Sequence, residues 1–113
     1  MDKYVEKRPW GEFTRYTLNS KSTVKILTIE KGKKLSLQSH KIRDEFWVVL
    51  DEGIKIELDG KLIYPKVGEQ IMIPHGKKHR LSSLEKRARV LEISVGEFSE
   101  DDEIRYEDDY GRK

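Results

Sequence analysis

The stretch "IKIELDGKLIY", Ile54 to Tyr64, decides the fold class of this sequence. Apolar and polar residues alternate from Ile54 to Leu58, which is the period of a β-strand with one buried face. Asp59-Gly60 then supplies a residue pair that two-residue hairpin turns prefer, and Leu62 to Tyr64 resumes the apolar pattern. The stretch therefore predicts two antiparallel strands joined by a tight turn.

Short β-rich runs of the same kind continue from this hairpin toward both ends of the chain. Apolar residues at helical spacing are not found over more than about ten residues. The seven further predicted strands are Phe13 to Leu18, Thr23 to Ile29, Leu35 to His40, Phe46 to Leu50, Gln70 to Ile73, His79 to Ser82 and Arg89 to Val95. Strands at intervals of roughly 8–12 residues are typical of an all-β sandwich or barrel. We expect a small closed barrel whose mouth admits a ligand.

The bulk composition restricts the class of protein. A chain of 113 residues is expected to form a single domain over residues 1–113. Its 23 basic and 21 acidic residues leave a net charge of +2, so we expect neither a nucleic-acid nor a membrane partner. The absence of cysteine excludes disulfides and thiolate metal sites. No signal peptide or long apolar segment is recognisable, and a cytoplasmic location is expected.

Both ends of the sequence are expected to be arms that lie over the barrel. The N-terminal arm contains "KRPWGEF", Lys7 to Phe13, and Trp10 is expected to anchor it. The C-terminal arm is acidic, because Glu97 to Asp109 carries much of the negative charge. The remaining body is therefore more basic than the total charge indicates, which suits an anionic small ligand.

Four polar side chains lie at the ends of predicted strands and could meet inside one barrel. Gln38 and His40 face the same side of their strand because they are two residues apart. The polar turn after His40 resets the strand parity, so Glu45 can face back toward them, and His79 follows the sharp turn at Pro74. Two imidazoles, one carboxylate and one amide oxygen form a plausible divalent-cation site. Taken singly, each residue has an ordinary alternative role as a solvated or hydrogen-bonded strand residue.

The spacing of these residues resembles the two signature motifs of the cupin superfamily. In the first motif Gly32 is followed by five residues, Gln38-Ser39-His40, four residues and Glu45. In the second, Gly68 is followed by five residues, Pro74-His75-Gly76, two residues and His79. Gln38 replaces the usual first histidine. The resemblance implies an all-β cupin double-stranded β-helix, or jelly-roll barrel, with N-terminal and acidic C-terminal arms.

A narrower resemblance is to the type II mannose-6-phosphate isomerase domain, usually the C-terminal part of bifunctional mannose-1-phosphate guanylyltransferases. The segments that carry it are "RPWG" (8–11), "VK" (24–25), "LSLQ" (35–38), "EFWVV" (45–49), "IPHGKKHRL" (73–81) and "EDDYGR" (107–112). The resemblance implies a stand-alone isomerase that interconverts mannose 6-phosphate and fructose 6-phosphate through an enediol. It also implies a homodimer that feeds nucleotide-sugar synthesis.

The resemblance assigns roles to particular residues. Gln38, His40, Glu45 and His79 would hold one divalent metal ion, with zinc the first choice and manganese, cobalt, nickel or iron also compatible. Lys25 shares strand parity with inward residues and is a candidate base or hydroxyl contact, with metal-bound hydroxide as another candidate base. The candidate ligands of the substrate phosphate are Arg43 at the barrel mouth, Arg8 on the N-terminal arm and Arg112 on the C-terminal arm.

Three positions depart from the family pattern. Lys41, Ile42 and Phe46 stand where members of this family usually have histidine. If one of those histidines transfers the proton, the chain would be a non-catalytic cupin that binds a sugar or sugar phosphate. A cupin enzyme of other chemistry, an epimerase or an oxygenase, is the third hypothesis, because two histidines and a carboxylate also suit iron.

Overall fold

The computed structural model describes residues 3–99 and 101–112, and their regular secondary structure is entirely β. Within this part of the chain no helix is long and apolar enough to cross a membrane. The eleven strands are β1 (Tyr4–Arg8), β2 (Gly11–Arg15), β3 (Ser22–Ile29), β4 (Leu37–Ser39), β5 (Asp44–Val49), β6 (Ile54–Leu58), β7 (Lys61–Ile63), β8 (Gln70–Ile73), β9 (His79–Ser83), β10 (Ala88–Val95) and β11 (Ile104–Glu107).

Nine of these strands form two antiparallel sheets. The four-stranded sheet has the order β3-β10-β5-β8, and the five-stranded sheet has the order β11-β4-β9-β6-β7. Strands that are consecutive in the chain, such as β4 and β5 or β8 and β9, lie in different sheets, so the chain winds back and forth between the two layers. This is the crossing pattern of a jelly-roll barrel, and it confirms the predicted fold class.

The hydrophobic core fills the space between the two sheets. Both sheets contribute alternate residues to it, as expected for two layers packed face to face. Its buried members are Ile29, Trp47, Val49, Ile54, Ile56, Ile73, Leu81, Ala88 and Val90. Each large side chain in such a core contributes roughly 1.5–3 kcal/mol of transfer free energy. Trp47 is one of the core residues that face the barrel interior.

The hairpin that decides the fold class has the predicted turn. β6 and β7 pair with Leu58 opposite Lys61, which leaves two residues in the turn. Asp59 and Gly60 have φ angles of 50° and 81°. Two successive left-handed residues are the requirement of a type I′ turn, and Asp-Gly meets it at low steric cost.

The two arms behave differently. The acidic arm forms β11, which pairs with β4 and lies on the barrel as predicted. β1 and β2 form a separate hairpin, here called the N-terminal hairpin, and within the described residues these two strands pair extensively just with each other. Trp10 lies at its turn and is 73% exposed, so the prediction that it anchors the arm is wrong. The predicted strand Phe13 to Leu18 is shifted to β2, because pairing with β1 sets its bounds.

Candidate functional site

Three of the four predicted metal ligands meet between the two sheets. His40 follows β4, Glu45 lies in β5 and His79 begins β9, so ligands from both sheets reach one point. One potential ligand atom of each residue lies within 4.8 Å of the others. All three side chains are buried, and Glu45 is fully inaccessible to solvent. Because the loop between β4 and β5 resets the strand parity, Glu45 faces the same interior as His40.

Both imidazoles are oriented by their second ring nitrogen. Nδ1 of His40 lies 2.8 Å from the carbonyl oxygen of Asp102, and Nδ1 of His79 lies 2.9 Å from that of Lys77. A carbonyl only accepts a hydrogen bond, so Nδ1 carries the hydrogen in each ring and Nε2 presents a lone pair to the cluster. Burial lowers the pKa of His79, which keeps that ring neutral.

The residues of the cluster fit a divalent cation. Nε2 of His79 is buried and lacks a hydrogen-bond partner among the described residues, which is costly unless a ligand completes the site. Glu45 accepts hydrogen bonds from Nε of Arg43 at 2.9 Å and from Nε1 of Trp47 at 3.2 Å, so its carboxylate is held in one orientation. Two imidazole nitrogens and one carboxylate are a common donor set for transition-metal ions.

Gln38, the fourth predicted ligand, lies beside this cluster. It stands directly opposite His79 in the pairing of β4 with β9, and paired residues of antiparallel strands project to the same face. Its amide oxygen accepts a hydrogen bond from Ser36 Oγ at 2.7 Å. Coordination of a metal by Gln38 therefore stays a prediction.

Asp102 holds the loop that carries the first ligand. Its carboxylate accepts backbone hydrogen bonds from Lys41 at 2.7 Å, Ile42 at 3.0 Å and Arg43 at 3.2 Å. Burial acts to raise the pKa of Asp102, but these three N–H groups outweigh it and the net pKa is lowered. Sequence reasoning missed this residue because it lies in a run of acidic residues where any one could face solvent.

The second motif is joined to the first by its glycine. The backbone N–H of Gly76 donates to the carbonyl oxygen of His40 at 2.7 Å. Gly76 has a φ angle of 80°, in the left-handed region that L side chains rarely adopt. The Pro-x-Gly turn therefore brings the residues that precede His79 against the residue that provides the other imidazole.

A cavity of about 170 Å³ adjoins the cluster between the sheets and the acidic arm. Two of its lining residues connect it to the cluster of His40, Glu45 and His79: Arg43 is hydrogen-bonded to Glu45, and Gln38 stands opposite His79. Its full lining is Lys25, Leu27, Leu35, Ser36, Gln38, Arg43, Glu92, Glu103, Arg105 and Arg112. Four cationic groups face two carboxyl groups, so the cavity suits an anionic ligand. A larger hollow of about 300 Å³, bordered by Phe46 and Met72, lies on the opposite face of the four-stranded sheet and takes no part in this site.

The predicted cationic residues occupy different depths. Lys25 lines the cavity, which confirms that it faces inward, and its Nζ lies 4.3 Å from the centre of the Phe98 ring. Arg43 lies deeper than the barrel mouth: it is 5% exposed, and it is bound to Glu45 and to the carbonyl oxygen of Ser99. Phosphate binding by Arg43 stays a prediction.

The other two predicted arginines are separated by the fold. Arg112 lines the cavity and makes two hydrogen bonds to Asp108, at 2.9 and 3.0 Å, which lower the pKa of that carboxyl to about 2. Arg8 lies on the N-terminal hairpin, paired with Glu6 and stacked 5.5 Å from the Phe13 ring centre. It is not among the residues that line the cavity, and its proposed role in phosphate binding stays untested.

Three ionisable residues of the cavity were missed in the sequence: Glu92, Glu103 and Arg105. Glu92 is 7% exposed on the inner face of β10, although its strand is apolar at both parities and so conceals which side is buried. Arg105 lies on β11, and its Nε is buried without a hydrogen-bond partner among the described residues. Its parity could not be read from the irregular β11, which has a register shift between Arg105 and Glu107.

The three departures from the family pattern lie outside the cavity. Lys41 and Ile42 are exposed in the loop between β4 and β5, and Ile42 is 66% exposed. Phe46 faces the outer side of the four-stranded sheet, where its ring centre lies 5.0 Å from that of Tyr16. A histidine at any of these positions would not line the cavity in this fold.

Comparisons with known proteins agree with this arrangement. The family model described as mannose-6-phosphate isomerase C-terminal matches residues 2–109. A mannose-1-phosphate guanylyltransferase of Escherichia coli is 36% identical over 107 residues, and the alginate biosynthesis protein AlgA of Pseudomonas aeruginosa is 34% identical over 107. A cupin protein of Bacteroides fragilis has a structure similar to this one, with a TM-score of 0.63 and 25% identity over 73% of this chain and 70% of that one.

These matches cover most of this chain but a small part of the relatives. The aligned region covers 93% of this chain but only 22% of the Escherichia coli and Pseudomonas aeruginosa relatives. The similarity therefore concerns one part of those longer proteins. The match of the family model over nearly the whole chain, together with the jelly-roll architecture, shows that this chain is a cupin belonging to the mannose-6-phosphate isomerase C-terminal family.

Proposed function

We propose that this protein is a metal-dependent sugar-phosphate isomerase that interconverts mannose 6-phosphate and fructose 6-phosphate through an enediol. The observation that carries the proposal is the buried cluster of His40, Glu45 and His79 beside a cavity with cationic walls. Family membership supports the same class of reaction. The reaction belongs to the cytoplasmic supply of hexose phosphates, and that location is part of the proposal.

His40, Glu45 and His79 would hold the divalent ion, with Gln38 as the fourth ligand. Zinc is the first choice, and manganese, cobalt, nickel and iron accept the same nitrogen and oxygen ligands. When bound, such an ion supplies positive charge next to the oxygen on which negative charge develops during enolisation. The protein side chains around it, Trp47 and Arg43, fix the carboxylate that would bind the ion.

The cationic wall of the cavity would anchor the phosphate group. Arg105 offers a buried Nε that has no hydrogen-bond partner among the described residues, while its Nη2 is paired with Glu103. Arg112 lies beside it, with its carbonyl oxygen 3.5 Å from Nη1 of Arg105. Guanidinium groups grip phosphate with paired N–H donors. The phosphate end of the substrate would then lie toward β11, and the carbons that react would lie toward the metal cluster.

The proposal is tested by incubating the metal-loaded protein with fructose 6-phosphate in deuterated water. Mannose 6-phosphate should form and carry deuterium at C2, because the transferred proton exchanges with solvent. A sample treated with a chelator should lose this activity and regain it on addition of the ion. Binding of fructose 6-phosphate without turnover under several metals would contradict the proposal and support a non-catalytic sugar-phosphate-binding cupin.

The binding-protein hypothesis depended on three missing histidines. Because Lys41, Ile42 and Phe46 lie outside the cavity, their identity does not bear on the groups that face a substrate there. The isomerase is therefore the function that the arrangement supports best.

A further inference from the structure

Glu92 is a carboxyl group built into the inner face of the four-stranded sheet. It stands opposite Lys25 of β3 on one side and opposite Trp47 of β5 on the other. Glu92 is 7% exposed, and it is one of the residues that line the cavity. The preceding inward residues of its strand, Ala88 and Val90, belong to the hydrophobic core.

This position is costly for folding. A carboxyl group at a core position of a strand loses its hydration, and an apolar residue there would join the same core as Val90. Lys25 does not remove this cost, since a buried pair still has to be desolvated. A charged residue kept at such a position and directed into a cavity is a candidate for chemistry.

The surroundings of Glu92 place its titration near neutrality. Burial and the nearby Glu45 carboxylate raise the pKa of Glu92 to about 7, while Lys25, Arg43 and a hydrogen bond from Trp47 act in the opposite direction. A group of this kind can both accept and return a proton at physiological pH.

Resting on the proposed function, we propose that Glu92 is the acid–base residue that carries the proton between C1 and C2 of the substrate. Glu45 cannot do this freely, because both of its carboxylate oxygens accept hydrogen bonds from Arg43 and Trp47. Lys25 then has another role than that of the base: its ammonium group lies beside Glu92 and favours the carboxylate form between proton transfers.

Glu92 carries the carbon-bound proton, and the hydroxyl proton passes between O2 and O1 through solvent water. On open-chain mannose 6-phosphate, the carboxylate takes the C2 hydrogen as a proton, and the C2–H electron pair forms the C1–C2 double bond. The carbonyl π pair moves to O1, which takes a proton from water. The enediol then gives the O2 proton back to water and forms the C2 carbonyl, while the C1–C2 π pair takes the proton of Glu92 at C1. Fructose 6-phosphate results, and Glu92 is again a carboxylate.

The test compares Glu92→Gln with the wild-type protein, both loaded with metal. Glu92→Gln should lower kcat for fructose 6-phosphate by about 10²–10⁴-fold, the usual contribution of an acid–base group. Its metal content should be unchanged. Sorbitol 6-phosphate has no carbonyl group and does not turn over, so it measures binding alone. Its Kd should stay within about threefold of the wild-type value, because Gln keeps the shape of Glu and the residues that would bind the phosphate group lie elsewhere in the cavity. Glu57→Gln, a strand carboxyl paired with Lys55 away from the cavity, is the matched control.

The outcomes separate the two proposals. A wild-type protein without turnover overturns the isomerase and the role of Glu92 together. Wild-type turnover with more than a tenth of kcat retained in Glu92→Gln overturns the role of Glu92 and leaves the isomerase standing. A large rise in the Kd for sorbitol 6-phosphate would make Glu92 a binding residue and overturn its role as proton carrier.

Discussion

The two faces of the four-stranded sheet have opposite characters. The inner face carries the ionisable residues Lys25, Glu45 and Glu92 among core side chains, whereas the outer face carries Ile26 and Phe46. A sheet in a soluble protein usually has its apolar side inward and its charged side outward. Here the charged groups lie inside, where they line the cavity or belong to the metal-ligand cluster, and the apolar groups lie outside, where Tyr16 covers Phe46 and Ile26 is exposed.

One residue along the strand separates these two characters. Glu45 and Phe46 are neighbours in β5, yet their side chains lie on opposite sides of the sheet because strand parity alternates. Changes on the inner face should therefore alter metal binding and turnover, and changes outside it should leave both nearly unchanged. A substitution outside the inner face that changes turnover, or one on the inner face that does not, would contradict this division.

The largest effect is expected from removing an imidazole on the inner side. His79→Ala should bind less than a tenth of the metal of the wild-type protein, and isomerase activity should fall about 10³-fold or more, because the site loses one of its three buried ligands. Metal content by elemental analysis and turnover of fructose 6-phosphate measure both. His75→Ala is the control, since His75 is exposed and bonded to Asp44 outside the cluster. Full metal content in His79→Ala would show that His79 does not share a metal site with His40 and Glu45.

The next effect concerns the loop that directs Glu45 inward. Asp102→Ala leaves three backbone N–H groups without their acceptor, which should cost about 3 kcal/mol of unfolding free energy. Metal binding should weaken as well, because the loosened loop begins directly after His40. Denaturant unfolding and metal titration check it. Asp101→Ala, an exposed neighbour, should change stability by less than about 0.5 kcal/mol. Equal stability of the two variants would show that this carboxylate does not hold the loop.

A smaller effect should reveal how much folding stability is lost by burying Glu92. The pKa of Glu92 is about 7 in the folded chain and 4.5 as its ordinary value, so the unfolded chain loses this proton first. The wild-type protein should therefore lose stability as the pH rises from about 4.5 to about 7, by roughly 2–3 kcal/mol. Metal-free Glu92→Gln lacks this loss and should be the more stable protein at pH 8.

Unfolding of metal-free Glu92→Gln and wild-type protein across this pH range measures that difference. The stability gain of Glu92→Gln should be smallest near pH 4, where Glu92 is protonated in both states, and largest above pH 7. A gain that does not vary with pH would contradict the titration of a buried Glu92.

The smallest effect on turnover is expected in the exposed loop between β4 and β5. Ile42→His restores the family residue in an exposed loop, and kcat should stay within about twofold of the wild-type value, because this side chain does not line the cavity. Steady-state turnover of fructose 6-phosphate measures it. A tenfold rise in kcat would mean that a histidine in this loop reaches the substrate and would break the division between inner and outer groups.

Sequence reasoning found those parts of the site that depend on local pattern. The period-2 runs located most strands, and the motif spacing located His40, Glu45 and His79 before any fold was known. It missed Glu92, because β10 is apolar at both parities and the pattern does not tell which side is buried. It missed Arg105 and Asp102 because both lie in a charged segment whose contacts depend on β11 pairing with β4.

The sequence by itself determined the all-β fold class and the Asp59-Gly60 turn, because these depend on short-range periodicity and backbone preference. It also supplied the set of metal-ligand candidates, through motif spacing that resembles the cupin superfamily. Tertiary structure decided which face of β10 is buried, how deep Arg43 lies, and that the N-terminal hairpin projects instead of covering the barrel. The physical reason is that strand parity tells which residues share a face of the sheet, but it does not tell what packs against each face. Only the packing of one sheet on the other decides which face becomes the interior.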